Sequence, residues 1–146
     1  MSPSCRERAR VIRYVSDTSG ITGERLEGFF EGWPAAPSPE VHLRLLRESD
    51  EVVLAIDDDS ESVVGFITAI TDGVLCAYIP LLEVLPSYRG RGIARELVTR
   101  LRRALRGYYM TDLVCDDELV AFYQSLGFRR ATAMVIRDRQ AQGGRR

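Results

Sequence analysis

The residues best suited to chemistry lie in one short run, Arg89-Gly90-Arg91-Gly92-Ile93-Ala94, which follows an apolar stretch that turns at Pro86. Gly90 and Gly92 carry no Cβ, so the main chain can bend sharply there and approach a ligand closely. The helical pattern that follows leaves the first-turn N–H groups without partners. Together with the helix dipole, these favour an anion at one point. Phosphate is the natural candidate, with Arg89 and Arg91 to neutralise it. The same glycines would also suit an ordinary strand-to-helix turn. A second reactive type is the isolated carboxylate of Glu83, set in the apolar run Tyr78-Ile79-Pro80-Leu81-Leu82-Glu83-Val84-Leu85. Burying it alone would be costly, so it should meet an arginine or face a polar cleft as a base, directly or through a water. On strand alternation it points opposite Leu82 and Val84. Asp112 is the second candidate for the base.

Other chemistries are poorly supplied. The only histidine is His42, in a helical stretch far from any serine motif, which argues against a Ser/His/Asp hydrolase or a zinc site. The three cysteines, Cys5, Cys76 and Cys115, lack metal-like spacing, and the latter two read as small buried hydrophobes. The acidic run Asp57-Asp58-Asp59 lacks the spaced ligands of a calcium loop and reads as a solvated hairpin tip. No metal is expected. A formal net charge of −1 and a pI of about 5.9 argue against a nucleic-acid surface. No signal peptide or membrane-length apolar run is evident, so the expectation is a cytoplasmic protein without a membrane partner. The basic residues are all arginine, which reads as a coding bias.

The elements that must position these groups follow from periodicity. With 146 residues the chain should form one domain, residues 1–8 and 138–146 being flexible. Strands are expected over 10–15, 51–57, 62–71, 74–85, 110–115 and 131–136, with Asp72-Gly73 as a hairpin dipeptide. Helices are expected over 22–32, 39–48, 93–105 and 117–126. Ser38-Pro39-Glu40 is a strong start for the second of these: a serine cap, proline in the first turn, an acid beside the dipole. In the third, Ile93, Ala94, Leu97, Val98, Leu101 and Leu105 share one face, the arginines lie largely on the other, and Gly107 is a stop. Pro80 interrupts the strand that carries Glu83. Since proline cannot donate to a ladder, that point must be an edge, a bulge, or a place where the neighbouring strand has moved away. Phe29, Trp33 and Tyr78 are candidates for contact with a substrate, although Phe29 reads more readily as a core residue of its helix.

Arg89-x-x-Gly92-x-Ala94, after a strand ending in Val-x-Pro, resembles the Arg/Gln-x-x-Gly-x-Gly/Ala signature of the Gcn5-related N-acetyltransferases. Phe122-Tyr123-x-x-x-Gly127-Phe128 supplies a second anchor, and the resemblance runs from about residue 10 to 137. It implies an α/β (α+β) fold, a mixed, mostly antiparallel central sheet flanked by helices in the order β-α-α-β-β-β-α-β-α-β. It also implies a cosubstrate, acetyl-CoA, whose pantetheine arm lies where two strands splay apart. Leu82 and Val84 would hold that arm, the Val84 N–H facing the thioester oxygen, with Phe122 beside them. The amides from Arg89 through Gly90, Arg91, Gly92 and Ile93 to Ala94 would hold the diphosphate. Tyr123 matches the family's tyrosine, the acid for the departing thiolate; the alternative is that it only packs or only hydrogen-bonds the sulfur. Many relatives carry a glutamate where Tyr78 stands, so the family's base does not transfer to Glu83. Asp116 stands where the family often has Asn, and Leu119 where it often has Ala.

The resemblance thus implies transfer of an acetyl group to a primary amine of a small molecule or peptide by direct attack, in a monomer or homodimer. Protein or aminoacyl-tRNA acetylation is an alternative within enzymes. A non-catalytic acyl-CoA sensor is the alternative outside them; it would need the glycine cradle but neither Tyr123 nor a base. A nucleotide-binding module is weaker, lacking the Lys-Ser/Thr of a phosphate-binding loop.

Overall fold

The computed structural model describes residues 10–146; the fraying expected of residues 1–8 lies outside the described residues. At its centre are two strands, β2 (Glu51–Asp57) and β3 (Val63–Thr71), antiparallel and buried on both faces along most of their length. Their runs Val-Val-Leu-Ala-Ile and Val-Val-Gly-Phe-Ile suit that position, because β-branched residues pack well on a pleated surface covered from both sides. β1 (Ile12–Val15) lies antiparallel beside β2. On the other side of β3 come β4 (Cys76–Ile79) and then β6 (Met110–Leu113), which runs parallel to β4. β5 (Leu82–Val84) also pairs with β3, completing among the described residues a six-stranded, mostly antiparallel sheet as expected.

Helices cover both faces. α1 (Pro39–Glu48) starts as its sequence requires: the Ser38 hydroxyl accepts from the Val41 amide at 3.2 Å. Its inner face is His42 and Leu46, packed with Leu26, Phe30, Leu54 and Phe66 on one side of the sheet. α2 (Ile93–Ala104) buries Ile93, Leu97, Val98 and Leu101 on the opposite side. Each of these is worth about 1.5–3 kcal/mol of burial. A Cβ at Gly65 in β3 would sit 3.2 Å from both Ile93 and Leu97, so the glycine lets α2 approach the sheet closely. α3 (Val120–Ser125) packs Tyr123 into the same layer, preceded by a 3-10 turn, Asp117–Leu119.

The structure departs from the expected elements at several points. The helix over 22–32 is only a 3-10 turn, Gly23–Leu26, because Gly28, Phe30 and Gly32 all take positive φ. The strand over 74–85 is two strands with Pro80 and Leu81 between them. Partner residues of β4 and β3 sum one lower than those of β5 and β3 (Ile70 with Tyr78, but Ile67 with Leu82), so the join is a one-residue bulge. Ala131 to Ile136 forms no strand, and Asp57, expected in a solvated turn, is 2% exposed. The tail is anchored as well: the Ala35 amide donates to the Gln142 side chain at 3.0 Å, and Arg44 donates to the Arg145 carbonyl.

Candidate active site

The bulge at Pro80–Leu81 creates the site. Up to Ile79, β4 is held by β6; beyond it β5 follows β3, and β6 ends at Leu113. A gap therefore opens between β5 and residues 114–116. The Leu85 amide donates to Val64 at 2.8 Å, which makes that a hydrogen-bonded pair. Antiparallel pairs alternate, so Gly65–Val84 and Ile67–Leu82 are non-bonded pairs, and the peptide groups of Val84 and Leu82 point away from β3 into the gap. The Val84 carbonyl is taken by Arg89 Nε at 3.0 Å, while the Val84 amide meets no acceptor among the described residues.

Past the 3-10 turn Pro86–Tyr88 the chain bends at Gly90 (φ 76°) and Gly92 (φ 80°) and enters α2. From Gly90 to Arg95 no amide finds an acceptor among the described residues; the first satisfied one is that of Glu96, bonded to Gly92 at 3.1 Å. Cβ atoms at Gly90 or Gly92 would project into open space. The result is a row of donors beside an open hollow, which suits an oxyanion. Arg91 lies over the Tyr88 ring at 5.5 Å, near the turn. The Arg89 guanidinium, about half exposed at the same turn, donates to the Val84 carbonyl and to Glu31 at 3.3 Å and so braces β5.

Beneath the turn, the Tyr88 hydroxyl donates to Asp57 at 2.5 Å. That bond holds the Asp57 carboxyl below its ordinary range, while burial and the carboxylate push the phenol up. Asp57 thus ties the glycine turn to the end of β2. No feature of the sequence separates it from its neighbours Asp58 and Asp59.

Tyr123 belongs to the same apolar cluster as Ile79, Val84 and Ile93. Phe122 and Phe128 meet its ring edge-on at 5.0 and 5.6 Å, fixing its orientation, while its hydroxyl makes no hydrogen bond among the described residues. Burial, and secondarily Cys115, push its pKa up to about 12. Phe122 is half-buried, with the Arg95 guanidinium over its ring.

Glu83 is on the other face, as alternation required. Its carboxylate accepts from the Phe30 amide at 3.0 and 2.9 Å, which holds Phe30 in its left-handed conformation (φ 63°). It also lines a cleft of about 340 Å³ with Phe30, Glu31, Trp33, Phe66, Leu81, Leu82, Arg89 and Asp116. Asp116 precedes the 3-10 turn Asp117–Leu119, and its side chain makes no cap bond among the described residues. Phe66 escaped the sequence reading, though it is the residue paired with Glu83 in the ladder. Phe29 does not line this cleft; half-buried, it packs edge-on against His42 and Phe66 at the border of the core. Tyr78 and Asp112 are paired across β4 and β6, both exposed, and do not line the cleft. Among the described residues no cluster of His, Cys, Asp or Glu could hold a metal ion, and no helix is long and apolar enough to cross a membrane.

Comparison with known proteins accords with this geometry. The model of the acetyltransferase (GNAT) family matches residues 19–128. A crystal structure from Deinococcus radiodurans R1, assigned to the acetyltransferases, superposes with a TM-score of 0.89 at 44% identity, covering 91% of this chain and 92% of that one. An uncharacterized N-acetyltransferase, ycf52, of Porphyra purpurea is 28% identical over 79% of this chain and 69% of its own. Serotonin N-acetyltransferase 2, chloroplastic, of Oryza sativa subsp. japonica is 37% identical over 61% of this chain, which spans 47% of that protein. The chain therefore belongs to the acetyltransferase (GNAT) family, and is an acyltransferase.

Proposed function

We propose that this chain moves an acetyl group from acetyl-CoA to the primary amine of a small molecule by direct attack, both substrates being bound together. The observation that carries the reading is the Val84 amide, aimed into the gap between β5 and β6 in line with the row of unpaired amides from Gly90 to Arg95. An extended pantetheine arm could pair with the outward groups of Leu82 and Val84 as an added strand would, with its diphosphate on the glycine turn.

Each group then has a task. The Val84 N–H stabilises negative charge that builds on the thioester oxygen as the amine attacks, a preorganised donor of the type that contributes most to such reactions. The amine must first lose a proton. An alkylammonium has a pKa near ~10.4, so holding it neutral at pH 7 costs roughly 4–5 kcal/mol. Glu83 is the carboxylate that faces the cleft and can take that proton directly or through a water. The Tyr123 phenol, with its pKa near 12, stays protonated throughout. Handing its proton outright to a thiolate of ordinary pKa ~8.5 would be uphill by roughly 5 kcal/mol. Its contribution is a hydrogen bond to the departing sulfur. Placement of both Tyr123 and Glu83 near the gap favours an enzyme over a sensor.

The cleft suggests the acceptor. Phe30, Trp33 and Phe66 give it an aromatic wall, and Glu31, Glu83 and Asp116 give it carboxylates. That pairing suits a cationic amine carried on an apolar or aromatic body, an arylalkylamine. The rice relative's name points the same way. Release of coenzyme A thiol should be followed with arylalkylamines, polyamines, amino acids and peptides. Turnover highest with arylalkylamines is expected. Coenzyme A binding without turnover on any amine would overturn the enzymatic reading, and preference for peptides would overturn the acceptor.

A further inference from the structure

The glycine turn that lines the site with free amides has nothing within it to hold it. No amide from Gly90 to Arg95 finds an acceptor among the described residues, and Gly90 and Gly92 both take positive φ. A Cβ at either glycine would touch nothing. A row of donors serves an anion best when it is preorganised, yet glycine is the residue that loses most freedom on being fixed. Order must therefore be imposed from the ends of the turn. At the far end Ile93, 3% exposed, packs into the apolar layer between α2 and the sheet. At the near end stands Tyr88.

Tyr88 closes the 3-10 turn Pro86–Tyr88 and is 8% exposed. Its hydroxyl donates to one oxygen of Asp57 at 2.5 Å, and the other oxygen of that carboxylate accepts from the Asp59 amide at 2.9 Å. The main chain of Asp57 is committed as well. Its N–H donates to the Ser62 carbonyl at 3.0 Å, and its carbonyl accepts from the Glu61 amide at 2.8 Å. Asp57 ends β2, an interior strand, so its carboxylate is fixed to the middle of the sheet. Its neighbours differ: Asp58 pairs with Arg13 at the surface and Asp59 is exposed. Burying a carboxylate is costly, and apolar contact alone would hold the start of the turn without that cost. What the charge-assisted bond adds is direction. The Tyr88 ring also lies under the Arg91 guanidinium at 5.5 Å, so fixing the ring orients a cation of the turn.

We propose that Asp57 and Tyr88 are positioning residues for the cofactor: through the Tyr88 hydroxyl, the carboxylate at the end of β2 holds the glycine turn in the shape that presents its amides and Arg91 to the diphosphate of coenzyme A. The inference rests on the diphosphate lying on that turn, as proposed above. Both side chains act through the turn and not by contact with the ligand. The pair therefore matters to a ligand that carries the diphosphate and is silent toward the pantetheine arm, which runs along β5.

The test compares coenzyme A, followed by titration calorimetry, with pantetheine, which lacks the diphosphate and is followed by NMR titration of the protein. The variants are Tyr88→Phe, Asp57→Asn and the two together. If the untethered turn spends about nine-tenths of its time in other shapes, coenzyme A binds about tenfold more weakly. Tyr88→Phe should show that loss, with pantetheine affinity kept within about twofold of the parent. Asp57→Asn, which can keep a neutral hydrogen bond, should lose less. Because Asp57 acts through Tyr88, the double variant should lose no more than Tyr88→Phe. The double variant also leaves no buried unpaired carboxylate, so it decides the matter where Tyr88→Phe alone does not fold. Coenzyme A affinity within about twofold of the parent in Tyr88→Phe or in the double variant would overturn the proposal. So would equal losses for coenzyme A and pantetheine, the mark of a merely structural pair, or losses that add in the double variant. A parent protein that binds coenzyme A no more tightly than pantetheine would instead remove the diphosphate site itself, and this inference with it.

Discussion

Tyr123→Phe removes one oxygen from the candidate site and nothing else. The ring contacts with Phe122 and Phe128, at 5.0 and 5.6 Å, are retained, and the lost hydroxyl had no hydrogen-bond partner among the described residues. Stability should therefore stay within about 0.5 kcal/mol of the parent. The effect on rate is larger. If the phenol donates a hydrogen bond to sulfur as charge accumulates there, its loss removes one preorganised donor, a change worth about 10²–10³ in rate for oxygen acceptors. Sulfur is the weaker acceptor, which places the expected loss at the lower end, about 10²-fold in kcat or about 2.7 kcal/mol. Steady-state thiol release at saturating amine gives kcat, and titration calorimetry gives coenzyme A affinity, which should change less than about threefold. With the phenol pKa near 12, no tyrosine ionisation should appear in the wild-type rate profile below pH 9. A kcat within twofold of the parent, or a loss of affinity that matches the loss of rate, would refute the assignment.

Three other changes probe the remaining parts. Gly92→Val forces a β-branched residue to φ 80°, at a cost of about 1–2 kcal/mol, and fills the hollow. Calorimetry should show coenzyme A binding weakened at least about tenfold with kcat at saturation largely kept. Glu83→Gln keeps an acceptor for the Phe30 amide but loses the charge. Its kcat/KM for the amine should fall by about 10²-fold, and an unchanged value would remove Glu83 as the base. His42 is buried with neither ring nitrogen hydrogen-bonded among the described residues, and burial lowers its pKa from 6.5 to about 4. The unfolded chain therefore takes up a proton first as pH falls. Stability should decline from about pH 6.5 and level off near pH 4, by about 3 kcal/mol in total. Urea unfolding of His42→Leu should lack this decline.

Legibility in the sequence followed how local the determinants are. α1 and β2 fell within the expected bounds because a serine cap and an unbroken β-branched run act within a few residues. The face of Glu83 was readable from alternation, and Pro80 announced the break in its strand. The stretch 22–32 misled because its apolar residues have helical spacing, whereas Phe30 is held out of helix by a carboxylate 53 positions away. The partners of the Arg89 guanidinium were not legible for a similar reason: Glu31 is 58 positions away and Val84 lies across the turn. The stretch 131–136 has strand-type residues but pairs with no strand among the described residues, and pairing cannot be read from one segment alone.

One extra residue at Pro80–Leu81 decides which face the side chains after it present. Ala77 and Ile79 share a side of the sheet with Leu82 and Val84 only because the count slips there; without the slip, Glu83 would be driven into the apolar layer beneath α2. The bulge thus absorbs the one residue too many between the two strands: deleting it would join β4 to β5 as a regular strand with Leu82 still opposite Ile67 and Glu83 still opposite Phe66. Pulling the same sequence into regular pairing without a deletion would instead carry every side chain of β5 to the opposite face.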